Sequence, residues 1–195
     1  VQSAKNVTTN INIGIVGKYT DLPDAYKSLN EAIVHGGLGN NLGVSIHWIN
    51  SESLNNISLD SKINNINGII VPGGFGERGI SGKIKAINYA RLNGVPFLGI
   101  CLGLQLAVIE FSRNVLNIKS ANSSEFVNTE NNVIGLLTEW YRDGKKEIRS
   151  KSSDIGGSMR LGSYPCNILK GSLAYKIYNK NTVHERHRHR YEVNS

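Results

Sequence analysis

The sequence predicts an α/β domain with a doubly wound, mostly parallel central sheet flanked by helices. Over the first 120 residues, short apolar runs of strand type alternate with segments of helical periodicity, which is the pattern of βαβ units. The composition agrees, because the 195 residues include 21 glycines but only 4 prolines, as suits a fold with many tight turns. A chain of this length is expected to form one domain over residues 1–195.

Four apolar runs predict buried parallel strands. They lie at 11–17, 44–49, 68–72 and 95–100. In a sheet of this kind, ligands bind at the carboxyl ends of the strands. This places Gly17-Lys18, the glycine-rich segment 73–76 and Cys101 along one rim.

Apolar residues at spacings of three and four predict helices after the first, third and fourth strands. Pro23 in Asp21-Leu22-Pro23-Asp24 marks the start of the first helix, the pair Gly36-Gly37 its end, and Asn93-Gly94 the end of the second. The apolar positions are Ala25, Leu29, Ala32 and Ile33 in the first helix, Ile84, Ile87 and Ala90 in the second, and Leu104, Ala107, Val108, Phe111 and Val115 in the third.

The remaining segments are less regular. Residues 1–10 are polar and are interpreted as a loose leader, and 50–67 as a loop or short helix. After about residue 120, three shorter strands are predicted, antiparallel to one another and separated by polar loops such as 141–157. They lie at 133–140, 158–166 and 183–193.

Charge and cysteine content narrow the function classes. The chain has 22 Lys+Arg and 15 Asp+Glu, a net charge of +7, and five of those seven charges fall in residues 151–195. The arginine-rich run at 186–190 has no aromatic interleaving beyond Tyr191, so nucleic acid is not expected as a partner. No apolar stretch approaches the ~20 residues of a membrane helix.

Two cysteines cannot build a disulfide framework, which favours the reducing cytoplasm. Cys166 is interpreted as structural.

The strongest chemical signal is Gly99-Ile100-Cys101-Leu102-Gly103, between a predicted strand and a predicted helix. It has the form of a nucleophile elbow with cysteine in place of serine. The turn is so sharp that only glycine avoids a clash on either side of it. We expect the sulfur to project above the sheet at a helix N-terminus, where the dipole favours the thiolate. A buried structural cysteine is the alternative.

A second glycine-rich turn, Pro72-Gly73-Gly74-Phe75-Gly76, follows the neighbouring strand. Backbone without side chains lets N–H groups approach a developing oxyanion. The N–H groups of Gly74 and Leu102 are the predicted donors. The turn is not a P-loop, since no Gly-Lys-Ser/Thr follows at the required spacing.

These residues resemble the class I glutamine amidotransferases, and more closely the glutaminase domains of the CTP synthase family. The resemblance extends over residues 11–194 and implies a flavodoxin-like fold with a nucleophile elbow. The blocks that carry it, besides the two glycine-rich turns, are 22–32, 103–111, 156–162 and 185–192.

The resemblance implies that Cys101 attacks the side-chain amide of glutamine, forms a γ-glutamyl thioester and releases ammonia. By motif position, the residues that hold glutamine are Gly74, Phe75, Leu102, Gln105, Glu125 and Arg190. Glu125 suits the α-ammonium group, and an arginine suits the α-carboxylate. Arg186 and Arg188 remain alternatives to Arg190.

The family also implies partners outside this domain. A synthetase domain of the same polypeptide would use the ammonia and Mg-ATP to convert UTP to CTP, within a homotetramer. Arg78 and Gly79 lie in a loop associated with allosteric GTP, but Ser81 stands where the family usually has an acid. No cofactor is expected in this domain itself.

The resemblance places the general base in a His-Pro-Glu segment, and no His-x-Glu occurs in the sequence. Since the chain also opens with Val1, we expect it to be part of a longer gene product. The C-terminal portion of the domain and the synthetase domain are then missing from these 195 residues. These 195 residues alone are expected to bind glutamine poorly and to turn it over little or not at all. Two alternatives are a stand-alone γ-glutamyl cysteine hydrolase and a silent regulatory or assembly module.

The basic run near the end also contains two histidines. Alternation along a strand predicts His187 and His189 on one face and the arginines on the other. A metal site is not expected there, because no cysteine or acid is placed to complete it.

Overall fold

The structure is a computed structural model that describes residues 9–20, 23–55, 62–127, 129–137, 139–142, 145–148 and 159–194. It divides into two compact units, Val1–Val133 and Ile134–Ser195. Each unit is described by itself, and one domain over 1–195 stays a prediction. No helix among the described residues is both long and apolar enough to cross a membrane.

The first unit is built on a four-stranded parallel sheet in the order β2-β1-β3-β4. Its strands are β1 (Thr9–Gly17), β2 (Leu42–Asn50), β3 (Gly68–Val71) and β4 (Phe97–Gly99). Ile15, Val16, Ile69 and Val71 are buried and form its core. All four predicted strands are confirmed. The predicted leader is wrong at its end, because β1 begins at Thr9, which pairs with Leu42; residues 1–8 lie outside the described part.

Helix α1 (Lys27–Gly39) follows a 3-10 turn at Pro23–Tyr26. Asp21 and Leu22 of the predicted start lie outside the described residues. The predicted end at Gly36-Gly37 is wrong, because the helix continues through both. Gly37 is buried, and a Cβ there would lie 2.4 Å from Val44 Cγ2. This glycine therefore lets α1 pack against β2 rather than ending the helix. Of the predicted apolar face, Ala25 and Ala32 are exposed, while Leu29 and Ile33 are half-buried.

Helix α2 (Ile80–Asn93) ends at Gly94, whose φ is 64°, as Asn93-Gly94 predicts. Ala86, Ile87 and Ala90 form its buried face. The segment before β3 contains a 3-10 turn at Ser53–Asn55, and residues 56–61 lie outside the described part.

Helix α3 (Leu102–Asn114) is confirmed, but its predicted apolar face is wrong. Leu104, Phe111 and Val115 are exposed. The buried side chains are instead Leu102, Leu106, Ile109 and the charged Glu110. The helix is rotated from the expected orientation because partners for Glu110 are available inside. A two-residue strand, β5 (Asn122–Ser123), follows.

The second unit is made of antiparallel ladders. β9 (Arg160–Asn167) pairs with β10 (Thr182–His189), and helix α4 (Leu173–Tyr178) connects them. Ser172 caps α4 by accepting a hydrogen bond from the Tyr175 N–H. β6 (Asn132–Leu136), which begins just before the unit boundary, pairs from Ile134 onward with β11 (Tyr191–Val193). The predicted antiparallel strands are thus confirmed in part: 183–193 is divided at Arg190, and 133–140 is divided between β6, which ends at Leu136, and a further strand that begins at Glu139. Residue 158 lies outside the described part.

The predicted polar loop at 141–157 is wrong over its first part. Strands β7 (Glu139–Arg142) and β8 (Lys145–Ile148) form an antiparallel pair. Asp143-Gly144 between them is a favoured hairpin dipeptide, a signal present in the sequence. Residues 143–144 and 149–158, including the block Gly156-Gly157-Ser158, lie outside the described residues.

Candidate active site

Cys101 occupies the turn between β4 and α3, with φ 55° and ψ −112°. A positive φ is strained for a residue with a side chain and is typical of functional turns. A Cβ on Gly99 would lie 2.6 Å from the carbonyl carbon of Gly103, and a Cβ on Gly103 would lie 1.9 Å from the Val71 oxygen. Both flanking positions therefore require glycine, as the sequence argument holds.

The Cys101 side chain is half-buried, and two backbone N–H groups, those of Leu102 and Gly74, hydrogen-bond to it. Burial nevertheless raises the pKa of the thiol above its ordinary value. The nearby Glu125 carboxylate raises it further, while the two N–H groups and the Lys83 ammonium oppose the rise. The N–H groups at the helix N-terminus thus favour the thiolate as expected, but burial outweighs them and the pKa of the thiol is raised on balance.

The glycine-rich turn lies directly beside this sulfur. A Cβ on Gly73 would lie 3.2 Å from Cys101 Cβ and 3.6 Å from Sγ. Lys18, at the end of β1, donates a hydrogen bond from Nζ to the carbonyl of Phe75. The rim expected from the sequence is thus assembled, with the β1 lysine holding the turn that faces Cys101.

Glu125 also reaches this rim, although it is distant in sequence. The Gly76 N–H donates a hydrogen bond to Glu125 Oε1 at 3.2 Å. The Gln105 side chain is buried in the first turn of α3, and the Gln105 backbone N–H donates to the Cys101 carbonyl at 3.2 Å. Phe75 is 64% exposed, so its side chain is accessible at the surface.

Lys83 is a residue of the site that the sequence analysis missed. It is fully buried in α2, and its Nζ lies 3.7 Å from the position a Cβ on Gly74 would take. Burial and the positive charge of Lys18 lower its pKa to about 8, while Cys101 acts in the opposite direction. A signal was present: Lys83 stands one turn before Ala86 and Ile87, on the apolar face of the helix.

The loop that the sequence links to GTP is held by local contacts. Arg78 donates to the Lys18 carbonyl at 3.3 Å and lies 3.7 Å from the Glu52 carboxylate. Gly79 has φ 75°, and a Cβ there would lie 2.2 Å from Ser51 Oγ. Gly79 is therefore required for the loop conformation, and Ser81 is exposed.

Of the three candidate arginines in the second unit, the structure distinguishes one. Arg186 and Arg188 are exposed on β10. Arg190 lies in the bend after β10, and its Nε is buried without a hydrogen-bond partner among the described residues. Arg190 thus differs from the other two in its burial, and its role as the arginine that binds glutamine stays a prediction.

His187 and His189 lie on one face as predicted, with their Nδ1 atoms 3.1 Å apart. The expectation that no acid accompanies them is wrong, because Glu192 brings a carboxylate oxygen within 4.8 Å of both rings. Arg160 already donates from Nη1 to both oxygens of that carboxylate, at 2.9 and 3.1 Å. The cation of this cluster is thus a guanidinium, and Arg160 also lies over the Tyr164 ring.

Cys166 is exposed on β9, so the sequence interpretation of it as a structural cysteine is wrong. It provides a second thiol with which the reactivity of Cys101 can be compared.

The family model for Glutamine amidotransferase class-I matches residues 21–195. The chain is 53% identical over 193 residues to a CTP synthase of Maridesulfovibrio salexigens, which covers 97% of this chain and 35% of that protein. It is 54% identical over 184 residues to a CTP synthase of Pelagibacter ubique, with 94% and 34% covered. The chain therefore spans about a third of the length of these curated relatives.

A solved structure is similar as well. The Trypanosoma brucei CTPS glutaminase domain with bound acivicin superposes with a TM-score of 0.80 at 39% identity, covering 94% of this chain and 68% of that one.

Proposed function

Because the chain belongs to the class I glutamine amidotransferase family, we propose that it is the glutaminase domain of a CTP synthase. In this role it hydrolyses glutamine to glutamate and ammonia. The observation that carries the proposal is the strained turn at Cys101, with the N–H groups of Gly74 and Leu102 directed at one sulfur. Two convergent donors beside a nucleophile are the arrangement that acyl transfer requires.

In the first half of the reaction, the Cys101 thiolate attacks the side-chain carbonyl carbon of glutamine. The carbonyl oxygen takes the negative charge and accepts hydrogen bonds from Gly74 and Leu102. The carbon–nitrogen bond then breaks, and the amide nitrogen leaves as ammonia after taking a proton. A γ-glutamyl thioester on Cys101 remains.

In the second half, water attacks the thioester and glutamate leaves while Cys101 is restored. Family resemblance assigns the general base and its orienting acid to a His-Pro-Glu segment that these 195 residues do not contain. In the first unit, Glu125 binds the α-ammonium of the substrate, a role supported by the hydrogen bond it accepts from Gly76 in the glycine-rich turn. The assignment of the α-carboxylate to Arg190 rests on the family resemblance alone.

The whole-enzyme role rests on the relatives named CTP synthase. In it, ammonia passes to a synthetase domain that aminates UTP with Mg-ATP in the cytoplasm, as part of a homotetramer. GTP activates the glutaminase through the loop that contains Arg78 and Gly79. Arg78→Ala is expected to reduce GTP activation in the full enzyme while leaving GTP-independent hydrolysis unchanged.

The 195-residue chain can be tested directly with acivicin, the compound bound in the similar trypanosomal domain. We expect one covalent adduct on Cys101, detected by mass spectrometry and slowed by excess glutamine. Cys101→Ala should abolish the adduct, and the matched control Cys166→Ala should retain it. Modification at Cys166 alone, or no protection by glutamine, would refute the assignment. Protection by γ-glutamyl peptides but not by glutamine would favour a peptidase.

A further inference from the structure

The first unit contains a buried charge with no partner. Lys83 is 0% exposed, and its Nζ makes no hydrogen bond to any of the described residues. Burying an unpaired ammonium opposes folding, and an apolar side chain could fill the same space on α2. A lysine in this position therefore needs an explanation other than packing.

The position of Lys83 relates it to the nucleophile. Its Nζ lies 3.7 Å from the Cβ position of Gly74, and the Gly74 N–H is hydrogen-bonded to the Cys101 side chain. Cys101 Sγ lies 3.6 Å from the position that a Cβ on the adjacent Gly73 would take. Nζ and Sγ are thus packed against consecutive residues of the same turn.

A second lysine at this turn has a different role. Lys18 Cε also lies 3.7 Å from the Gly74 Cβ position, but Lys18 Nζ is bound to the Phe75 carbonyl. Lys18 thus holds the turn in place, whereas the ammonium of Lys83 has no hydrogen-bond partner in the part of the chain that the structure describes. Of these two lysines, Lys83 is therefore the one available to compensate a new negative charge in the site.

The charges around the sulfur show why compensation is needed. Burial and the Glu125 carboxylate both disfavour the thiolate of Cys101, and Lys83 is the charged side chain that favours it. Lys83 faces Lys18 and Cys101, and it remains largely protonated at neutral pH because its pKa is lowered only to about 8. At pH 7 a positive charge is therefore present beside the thiol.

We propose that Lys83 is a positioning residue whose buried, unpartnered ammonium stabilises the thiolate of Cys101. The assignment of the thiolate as nucleophile rests on the proposed function, but the effect of Lys83 on the thiol does not. No co-reactant is involved, because the thiol proton passes to solvent and the ammonium stays protonated.

The test is the pH dependence of Cys101 alkylation by iodoacetamide, which reacts with the thiolate only. All proteins carry Cys166→Ala, so that the rate reports on one sulfur. Lys83→Met should lower the alkylation rate at pH 7, where Lys83 is charged, about tenfold, and the two rate–pH profiles should converge above pH 8 as Lys83 loses its proton. Lys83→Arg should restore much of the rate, and Lys85→Met, an exposed lysine of the same helix, should behave as the wild type.

An unchanged alkylation rate at pH 7 in Lys83→Met would overturn the proposal. Melting curves of the same proteins guard against a purely structural role: Lys83→Met should melt no lower than the wild type, because it removes a buried charge. A much lower melting temperature with an unchanged alkylation rate at pH 7 would make Lys83 structural. The readout uses no glutamine, so a failed acivicin experiment with a lowered alkylation rate in Lys83→Met would refute the proposed function alone.

Discussion

Two buried charges on neighbouring helices differ in how they are satisfied. Glu110 on α3 is 1% exposed and accepts hydrogen bonds from Asn88, Arg91 and Asn114. Lys83 on α2 is equally buried but makes no hydrogen bond among the described residues. One charge is enclosed by donors, whereas the other faces only a second lysine and the thiol.

The difference appears in the protonation of the two groups. Burial works against the ionised form of Glu110, but the hydrogen bonds from Arg91, Asn88 and Asn114 hold its pKa below the ordinary value. Burial lowers the pKa of Lys83, and no hydrogen bond from the described residues opposes that shift. A paired buried charge thus joins α2 to α3, and an unpaired one is tolerated where the active site benefits from it.

The largest expected effect is on the paired charge. Glu110→Ala should lower the free energy of unfolding by about 3 kcal/mol, because it removes the acceptor shared by Asn88, Arg91 and Asn114 and leaves a cavity where the buried side chain lies. Urea denaturation at pH 7 measures the change, with Glu31→Ala on the exposed face of α1 as control. A loss no greater than that of the control would show that the hydrogen bonds of Glu110 do not stabilise the fold.

The unpaired charge should give the opposite sign. Lys83→Met is expected to raise the free energy of unfolding by about 2 kcal/mol, since the folded state no longer buries an uncompensated ammonium. The same urea titration with Lys85→Met as control, whose expected change is near zero, checks it. Destabilisation by Lys83→Met would mean that the Lys83 charge stabilises the fold, as the Glu110 charge does.

The pH dependence of that gain sharpens the comparison. The pKa of Lys83 is about 8 in the folded state and 10.5 in the unfolded reference, so the unfolded chain binds more protons between these values. The penalty on the wild type is therefore full below pH 8 and disappears as pH rises toward 10.5. The difference in unfolding free energy between Lys83→Met and wild type should shrink by about 2 kcal/mol from pH 7 to pH 10. A constant difference would show that packing, not charge, causes it.

The smallest effect concerns a single donor. Asn88→Ala should lower the unfolding free energy by about 1 kcal/mol, because Glu110 keeps the hydrogen bonds of Arg91 and Asn114. Thermal unfolding of Asn88→Ala, Glu110→Ala and the double variant measures the coupling. If the two losses simply add, Asn88 and Glu110 do not act together.

Much of this site followed from local sequence. The spacing of Gly99, Cys101 and Gly103 predicted the strained turn. A Cβ on Gly99 would clash with backbone four residues away, and a Cβ on Gly103 would clash with the adjoining strand β3. The donors Gly74 and Leu102 followed for the same reason, since backbone groups lie where strand and helix periodicity put them. Lys83 did not follow, because its burial depends on how α2 packs beneath the 73–76 turn.

The sequence by itself determined the four parallel strands, the helices between them and the thiol at the end of β4, because periodicity and glycine placement act over a few residues. Only the tertiary structure decided that α1 continues through Gly37, that α3 buries Glu110 rather than Phe111, and that Glu192 joins His187 and His189. The first two outcomes depend on partners distant in the chain, and the third depends on the bend at Arg190 that separates β10 from β11. A charged or polar residue is buried where another element supplies its donors or needs its charge, and no local pattern carries that information.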